Sequence, residues 1–148
     1  MGLDMFLFRK THIWSDKREN IQIIGIPGIQ LDRVSKITEE VGYWRKANQI
    51  HKWFVENVQD GNDDCRSYYV PKEKLSELLD IVNRVLENKE LGRTLLPTQG
   101  GFFFGSTNYD NYYIEDLKNT KEILTKILAD INDNYKGFSV SYYYRSSW

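Results

Sequence analysis

Residues 2–12 read Gly2-Leu3-Asp4-Met5-Phe6-Leu7-Phe8-Arg9-Lys10-Thr11-His12. Leu3, Met5 and Leu7 alternate with Phe6 and Phe8, so an extended chain here carries apolar side chains on both faces. Such a strand belongs inside a sheet, with a neighbour on each side. Around it, Ile21-Gln22-Ile23-Ile24-Gly25-Ile26 predicts a second strand, Pro27-Gly28 a turn and 29–35 a short third strand. Residues 66–70 predict another short strand. Gly137 precedes a last one over 138–145, where Phe138, Val140, Tyr142 and Tyr144 face one way and Tyr143 and Arg145 the other.

Three helices complete the pattern. Over 43–58, Trp44, Ala47, His51, Phe54, Val55 and Val58 recur at spacings of three and four, and the acidic run Asp60 to Asp64 ends the helix as a solvated turn. Pro71 suits the first position of the next helix, which buries Leu75, Leu78, Leu79, Val82, Val85 and Leu86 and has Gly92 beyond it as a C-cap. A helix over about 112–132 carries Ile114, Leu117, Leu124, Ile127, Leu128 and Ile131 on one face, with Glu115 and Asp116 placed early to suit the helix dipole. The expected fold is α+β: one domain over 1–148, a mostly antiparallel sheet of about four to five strands and three helices.

With 148 residues, 41% hydrophobic, the chain can bury one core, and disorder is excluded. Cys65 is alone, so no disulfide scaffold is possible and a cytoplasmic location is the default. No apolar run is long enough for a membrane helix, and the N-terminus reads neither as a signal peptide nor as a myristoylation signal. Twenty basic residues meet 21 acidic ones. That balance argues against bulk nucleic acid as a partner but allows a compact anion held by a few placed cations. The unusual feature is aromatic: 10 Tyr, 7 Phe and 4 Trp, residues that offer stacking planes and, for Tyr, a polar tip.

Known catalytic signatures fail. The sequence has no Gly-x-Ser-x-Gly elbow, no phosphate loop and no dinucleotide fingerprint. His12 and His51 are too few for a histidine metal site, and the glycine of Asp60–Asp64 stands in the wrong place for a calcium loop. No metal or other cofactor is expected.

Two segments are denser in binding groups. In 42–54, helical spacing puts Arg45, Asn48, Gln49 and Lys52 on the face away from the core stripe, with Lys46 beside them. Cations and N–H donors at a helix start suit a phosphate; an ordinary solvated basic face is the competing reading, and His51 reads as a hydrogen-bonded core histidine. In 97–112, a long connection, Gly100, Gly101 and Gly105 flank Phe102, Phe103 and Phe104. Gly101 would let a ligand approach the backbone. Thr98, Gln99, Ser106, Thr107 and Asn108 offer hydrogen-bonding groups, and Phe103, Tyr109 and Tyr112 offer rings. The competing reading is a short core strand, Phe102 to Phe104, between turns. The C-terminal Tyr142 to Trp148 reads as an aromatic strand, or as a wall of the same pocket or a subunit contact.

Met1 to Leu7, Val41 to Asn48, His51 to Val55, Asp63-Asp64-Cys65 and the run Leu96 to Tyr113 together resemble a family of small phage-encoded proteins. Phe6 and Phe8 depart from it where many relatives carry Tyr. Within that group the chain is similar to the viral anti-CBASS sponges, which form oligomers and sequester the cyclic oligonucleotide signals of bacterial immunity. The resemblance implies a homo-oligomer in the cytoplasm of an infected bacterium, binding a cyclic dinucleotide such as 3'3'-cGAMP without cleaving it. Under it Arg45, Lys46 or Lys52 would neutralise phosphates. Tyr43, Trp44, Phe103, Tyr109 or Tyr112 would stack on bases, and Asn48, Gln49, Gln99, Ser106 and Thr107 would read base edges or ribose. Two other readings stand beside it: an inhibitor that docks its aromatic loop on a host enzyme, and a nucleotide-processing enzyme.

Overall fold

The computed structural model describes residues 2–132 and 138–148. Strand β1 (Asp4–His12) lies between β2 (Lys36–Arg45) and β4 (Ser139–Ser147), and β3 (Tyr68–Val70) pairs with the far side of β4. All pairings are antiparallel, giving the order β2-β1-β4-β3. The central place of β1 follows from its two apolar faces. Leu3, Met5 and Leu7 are fully buried. On the other face Phe6 stacks on Phe8 at 5.9 Å between ring centroids and meets Tyr43 at 5.4 Å, so Phe6 and Phe8 are half-buried while Tyr43 stays exposed.

Helices α1 (Asn48–Asn57), α2 (Lys72–Glu87), α3 (Gly92–Leu95) and α4 (Asn111–Asn132) make the fold α+β. Helix α2 packs on α4. Leu75, Leu78, Val82 and Val85 of α2 and Leu117, Leu124 and Ile127 of α4 join the buried core, as their periodicity predicts, while Leu79, Leu86, Ile114, Leu128 and Ile131 pack at its margin. No helix among the described residues is long and apolar enough to cross a membrane.

Several boundaries differ from expectation. Residues 21–26 form no strand, and 29–35 hold only a short 3-10 turn at Leu31–Arg33. Ile24 is 88% exposed there and Ile26 and Ile29 are exposed too. An isoleucine-rich run becomes a strand only when a partner strand pairs with it, and β1 takes 36–45 instead. This also corrects the helix expected over 43–58. Met5 faces Trp44 and Asp4 faces Arg45 across the sheet, so ladder pairing holds the chain extended through Arg45. Trp44 reaches the core from a strand, and its apparent helical phase with Ala47 and His51 is coincidental. The ladder also shifts register between Leu7 and Phe8, opposite Gly42 and Glu40, which leaves Val41 as the extra residue of a bulge.

Pro71 immediately precedes α2 rather than opening it. Gly92 is not a C-cap; α2 ends at Glu87 and Gly92 starts α3. Its lack of a side chain answers a close approach, because a Cβ there would lie 2.7 Å from the Tyr113 hydroxyl oxygen. Phe102 to Phe104 form a turn and not a strand, with Phe104 buried, Phe103 half-buried and Phe102 95% exposed. The Gly137 boundary lies outside the described residues.

Candidate functional site

The site forms where β2 ends. The Lys46 N–H donates to the Leu3 carbonyl at 2.7 Å, and the Leu3 N–H donates to Phe103 O at 3.0 Å, so the start of β1 ties the β2–α1 junction to the long connection. Lys46 itself turns the chain in the left-handed region, at φ 57°, a conformation that costs a non-glycine residue about 1 kcal/mol or more. Gly105 packs against it at φ +83°, and a Cβ there would stand 3.1 Å from the Lys46 Cβ. Beside this turn, Arg45 Nη1 contacts both Asp4 carboxylate oxygens at 2.7 and 3.0 Å, and the Tyr43 hydroxyl donates to Asp4 at 2.6 Å. The Tyr43 hydroxyl and the Arg45 guanidinium hold the Asp4 carboxyl below its ordinary range.

Asn48 opens α1 and is buried. Its Nδ2 donates to Phe104 O at 3.0 Å and Ser106 O at 2.8 Å, and its Oδ1 accepts from the Gln99 N–H at 2.9 Å. One amide thus fixes three points of a connection that lacks regular structure. Thr98 adds a clasp: its hydroxyl donates to Thr107 O at 2.9 Å, and its N–H donates to the Tyr109 hydroxyl at 3.1 Å. Asp110 caps α4 by accepting from the Tyr113 N–H at 3.2 Å.

The outcome is a cleft of about 330 Å³. Arg45 and Lys46 line it from the β2–α1 junction, Gln49 from α1, Thr98, Gly105, Ser106 and Asn108 from the connection, and Asp110, Tyr112, Tyr113 and Asp116 from the start of α4. Gln49 is 2% exposed. Its Nε2 makes only long contacts, 3.4 Å to Tyr113 O and 3.3 Å to Asp116 Oδ2. Burial pushes the Asp116 carboxyl up to about 6; the Gln49 amide opposes that rise and the Asp110 carboxylate adds to it. Burial also raises the Tyr113 phenol well above its usual value, and this hydroxyl donates to Leu96 O at 2.8 Å.

Of the residues singled out from the sequence, Arg45, Lys46, Gln49, Thr98, Ser106, Asn108 and Tyr112 meet in this cleft. Others do not. Trp44 is 2% exposed, with its indole N–H donated to Thr120 Oγ1 at 2.9 Å, so its ring is closed to a ligand. Asn48 and Gln49 are buried rather than on a solvated face, because the helix starts later than expected and the connection covers its first turn. Lys52 lies in a separate groove with Glu56, its ion-pair partner at 3.8 Å. Tyr109 opens onto another cleft, under the Arg93 guanidinium at 4.5 Å from its ring centroid. Tyr43 sits over Phe6 on the sheet. Phe103 packs beside the core, and Gly101 faces the Phe104 ring, 2.8 Å from where its Cβ would be. Gln99 and Thr107 serve the connection through backbone groups and do not line the cleft.

Sequence reasoning missed Asp110, Tyr113 and Asp116 as cleft residues. Asp116 reads as a dipole partner in the first turn, yet the helix begins at Asn111 and turns Asp116 inward against Gln49. The available signal was its spacing: Tyr113, Asp116, Leu117 and Thr120 share one helical face, and all but Asp116 are buried.

A second polar cluster surrounds His51. His51 is fully buried. Its Nδ1 lies 2.7 Å from the Tyr144 hydroxyl and its Nε2 3.0 Å from Asp63 Oδ2. The other Asp63 oxygen accepts from the Trp148 indole at 3.0 Å, and Asp64 accepts from the Tyr68 hydroxyl at 2.8 Å. The acidic run is therefore more than a solvated turn: two of its carboxylates bind internal donors. The Tyr144 ring stacks on Phe54 at 4.0 Å, and Phe104 meets the His51 ring edge-on at 5.3 Å. Among the described residues, no three His, Cys, Asp or Glu side chains are grouped to hold a metal ion.

Comparison of the chain with protein-family models, with curated proteins and with solved structures gives no match.

Proposed function

We propose that the chain is a bacteriophage immune-evasion protein that binds a cyclic dinucleotide, such as 3'3'-cGAMP, and sequesters it uncleaved in the cytoplasm of the infected bacterium. The observation that carries this reading is the cleft. Two cations, Arg45 and Lys46, stand beside a buried amide, Gln49, and an exposed ring, Tyr112, which is 80% exposed. Cations take the phosphate, the ring takes a base by stacking, and Ser106 and Gln49 supply directed hydrogen bonds. Lys46 has no ion pair among the described residues, whereas Arg45 is held by Asp4. Lys46 is therefore the freer phosphate ligand. At about 330 Å³ the cleft is near the small end of ligand pockets, about 300–1,000 Å³. It suits one nucleotide unit, and a second copy of the chain would complete the site around the other, which is the role proposed for a homo-oligomer.

The test is retention. The protein is incubated with a panel of cyclic dinucleotides, freed of unbound ligand and digested, and the released material is identified. Intact nucleotide is the expected result. A cleaved product would make the protein an enzyme. No retention across the panel would favour the second reading, an inhibitor that docks on a host enzyme. The observation behind that reading is Phe102, 95% exposed at the tip of the connection with its ring edge-on to Phe103 at 4.7 Å.

A further inference from the structure

The cleft joins opposite charges that do not neutralise each other. Arg45 and Lys46 line one part and Asp110 and Asp116 another, yet no cleft cation comes within ion-pair distance of either carboxylate among the described residues. Asp110 is engaged as the cap of α4. Asp116 is not: its Oδ2 has only the long contact from Gln49, and its Oδ1 has no hydrogen bond among the described residues. A site built for phosphate alone gains nothing from a carboxylate beside its cations, since like charge repels. The carboxylate needs another purpose, and it sits next to an amide donor whose two contacts, at 3.3 and 3.4 Å, are both long enough to be exchanged for a ligand.

Gln49 Nε2, a donor, lies 3.3 Å from Asp116 Oδ2, one of two carboxylate acceptors, and both residues line the cleft. The Watson–Crick edge of guanine presents the complement, an O6 acceptor followed by the N1–H and N2–H donors. Adenine presents an N6 donor and then the N1 lone pair, which would face the carboxylate. We infer that Asp116 and Gln49 form a guanine-reading pair, which makes the cleft selective for a guanine nucleotide whose phosphate lies toward Lys46. This rests on the nucleotide-binding reading above and names the base it prefers. A half-buried, under-bonded acceptor pair discriminates between bases, because the wrong base leaves it unpaired.

Protonation gives the pair a distinctive pH dependence. Burial places the Asp116 carboxyl near 6 in the free protein. The groups acting on it are Gln49 from α1 and Asp110 at the start of α4, with Arg45 and Lys46 lining the same cleft. Two N–H donors from guanine favour the ionised carboxylate. Affinity for a guanine ligand then falls as pH drops through 6. Were Asp116 only a repulsive neighbour of the phosphate, its protonation would raise affinity instead. Neither guanine nor a phosphodiester titrates in that range, so the sign of the slope belongs to the protein.

The experiment measures, by calorimetry, the affinity of the intact protein for cyclic di-GMP, its inosine counterpart and cyclic di-AMP at pH 7.5 and 5.5, then repeats it with Asp116→Asn. The expected order is guanine, then hypoxanthine, then adenine. Adenine should bind about tenfold or more below guanine. Guanine affinity should fall severalfold at pH 5.5, and the gap between bases should shrink to within about threefold in the variant. Equal affinity for all three bases, or guanine affinity that rises at pH 5.5, overturns the guanine assignment while leaving nucleotide binding intact. Absence of binding by all three overturns both. The inosine and pH arms use the wild-type chain, so they decide the matter even if the variant folds poorly.

Discussion

Helix α1 carries three buried polar side chains within one turn, and they divide into two kinds. Asn48 makes three hydrogen bonds of 2.8–3.0 Å, and His51 engages both ring nitrogens at 2.7 and 3.0 Å. Gln49, between them, makes only contacts of 3.3 and 3.4 Å and faces a cleft. A buried polar group with all its partners is structure, because losing a partner exposes the full desolvation cost. One that is buried but under-bonded is positioned to accept a partner from outside. The difference separates the scaffold of this site from its binding wall, although the residue types are alike.

That contrast can be broken by substitution. The largest effect is expected for Asn48→Ala, which strands the Gln99 N–H and the Phe104 and Ser106 carbonyls. It should destabilise the fold by about 3 kcal/mol in chemical denaturation, and a loss under about 1 kcal/mol would show that the connection is held by other means. Next comes Tyr144→Phe, which leaves His51 Nδ1 without its partner. With Nε2 donating to the Asp63 carboxylate, a neutral ring uses Nδ1 to accept the Tyr144 O–H. The expected cost is about 2 kcal/mol, and a double-mutant cycle with His51→Gln should recover most of it as coupling.

On the binding wall the ranking reverses: stability is little changed and affinity moves. Lys46→Ala should weaken cyclic dinucleotide binding by about tenfold, about 1.4 kcal/mol, with a near-normal melting curve. Arg45→Ala should cost less affinity, because Asp4 already neutralises the guanidinium. If Arg45 proves the more important cation, the Asp4 ion pair must open on binding, which a shift of the Asp4 resonance on ligand addition would detect.

The smallest effect concerns Asp116 in the free protein. Its folded carboxyl is raised to about 6 from an ordinary value of 3.8. A raised carboxyl favours folding when protonated, and that contribution is lost as pH rises through 6. Asp116→Asn removes the cost of a half-buried charge. It should therefore stabilise the protein at pH 7–8 by about 1 kcal/mol, allowing for partial exposure, with no gain below pH 4. A variant no more stable at pH 8 than at pH 4, relative to wild type, would mean that the carboxylate already has a partner.

The fold was legible where a pattern was local and strong. Two apolar faces at 2–12 marked the central strand, and the stripes of α2 and α4 fell on the core as periodicity requires. It was misread at 43–47, where Trp44, Ala47 and His51 keep helical spacing by chance and pairing with β1 decides for a strand. The glycines and polar groups of the long connection mark it as a place for function, but its residues divide between two roles. Gln99, Gly101, Phe103 and Thr107 build it, while Ser106 and Tyr112 face the cleft.

The sequence by itself therefore determined that this chain has an apolar central strand, two amphipathic helices, balanced charge and a reservoir of aromatic and amide groups. These depend on neighbours a few residues apart. Only the tertiary structure decided which of Asn48, Gln49 and His51 on α1 would be closed and which left open, and that Asp116 would turn toward Gln49. Those outcomes depend on what a segment 50 to 70 residues away lays over the helix, and no local pattern encodes that cover.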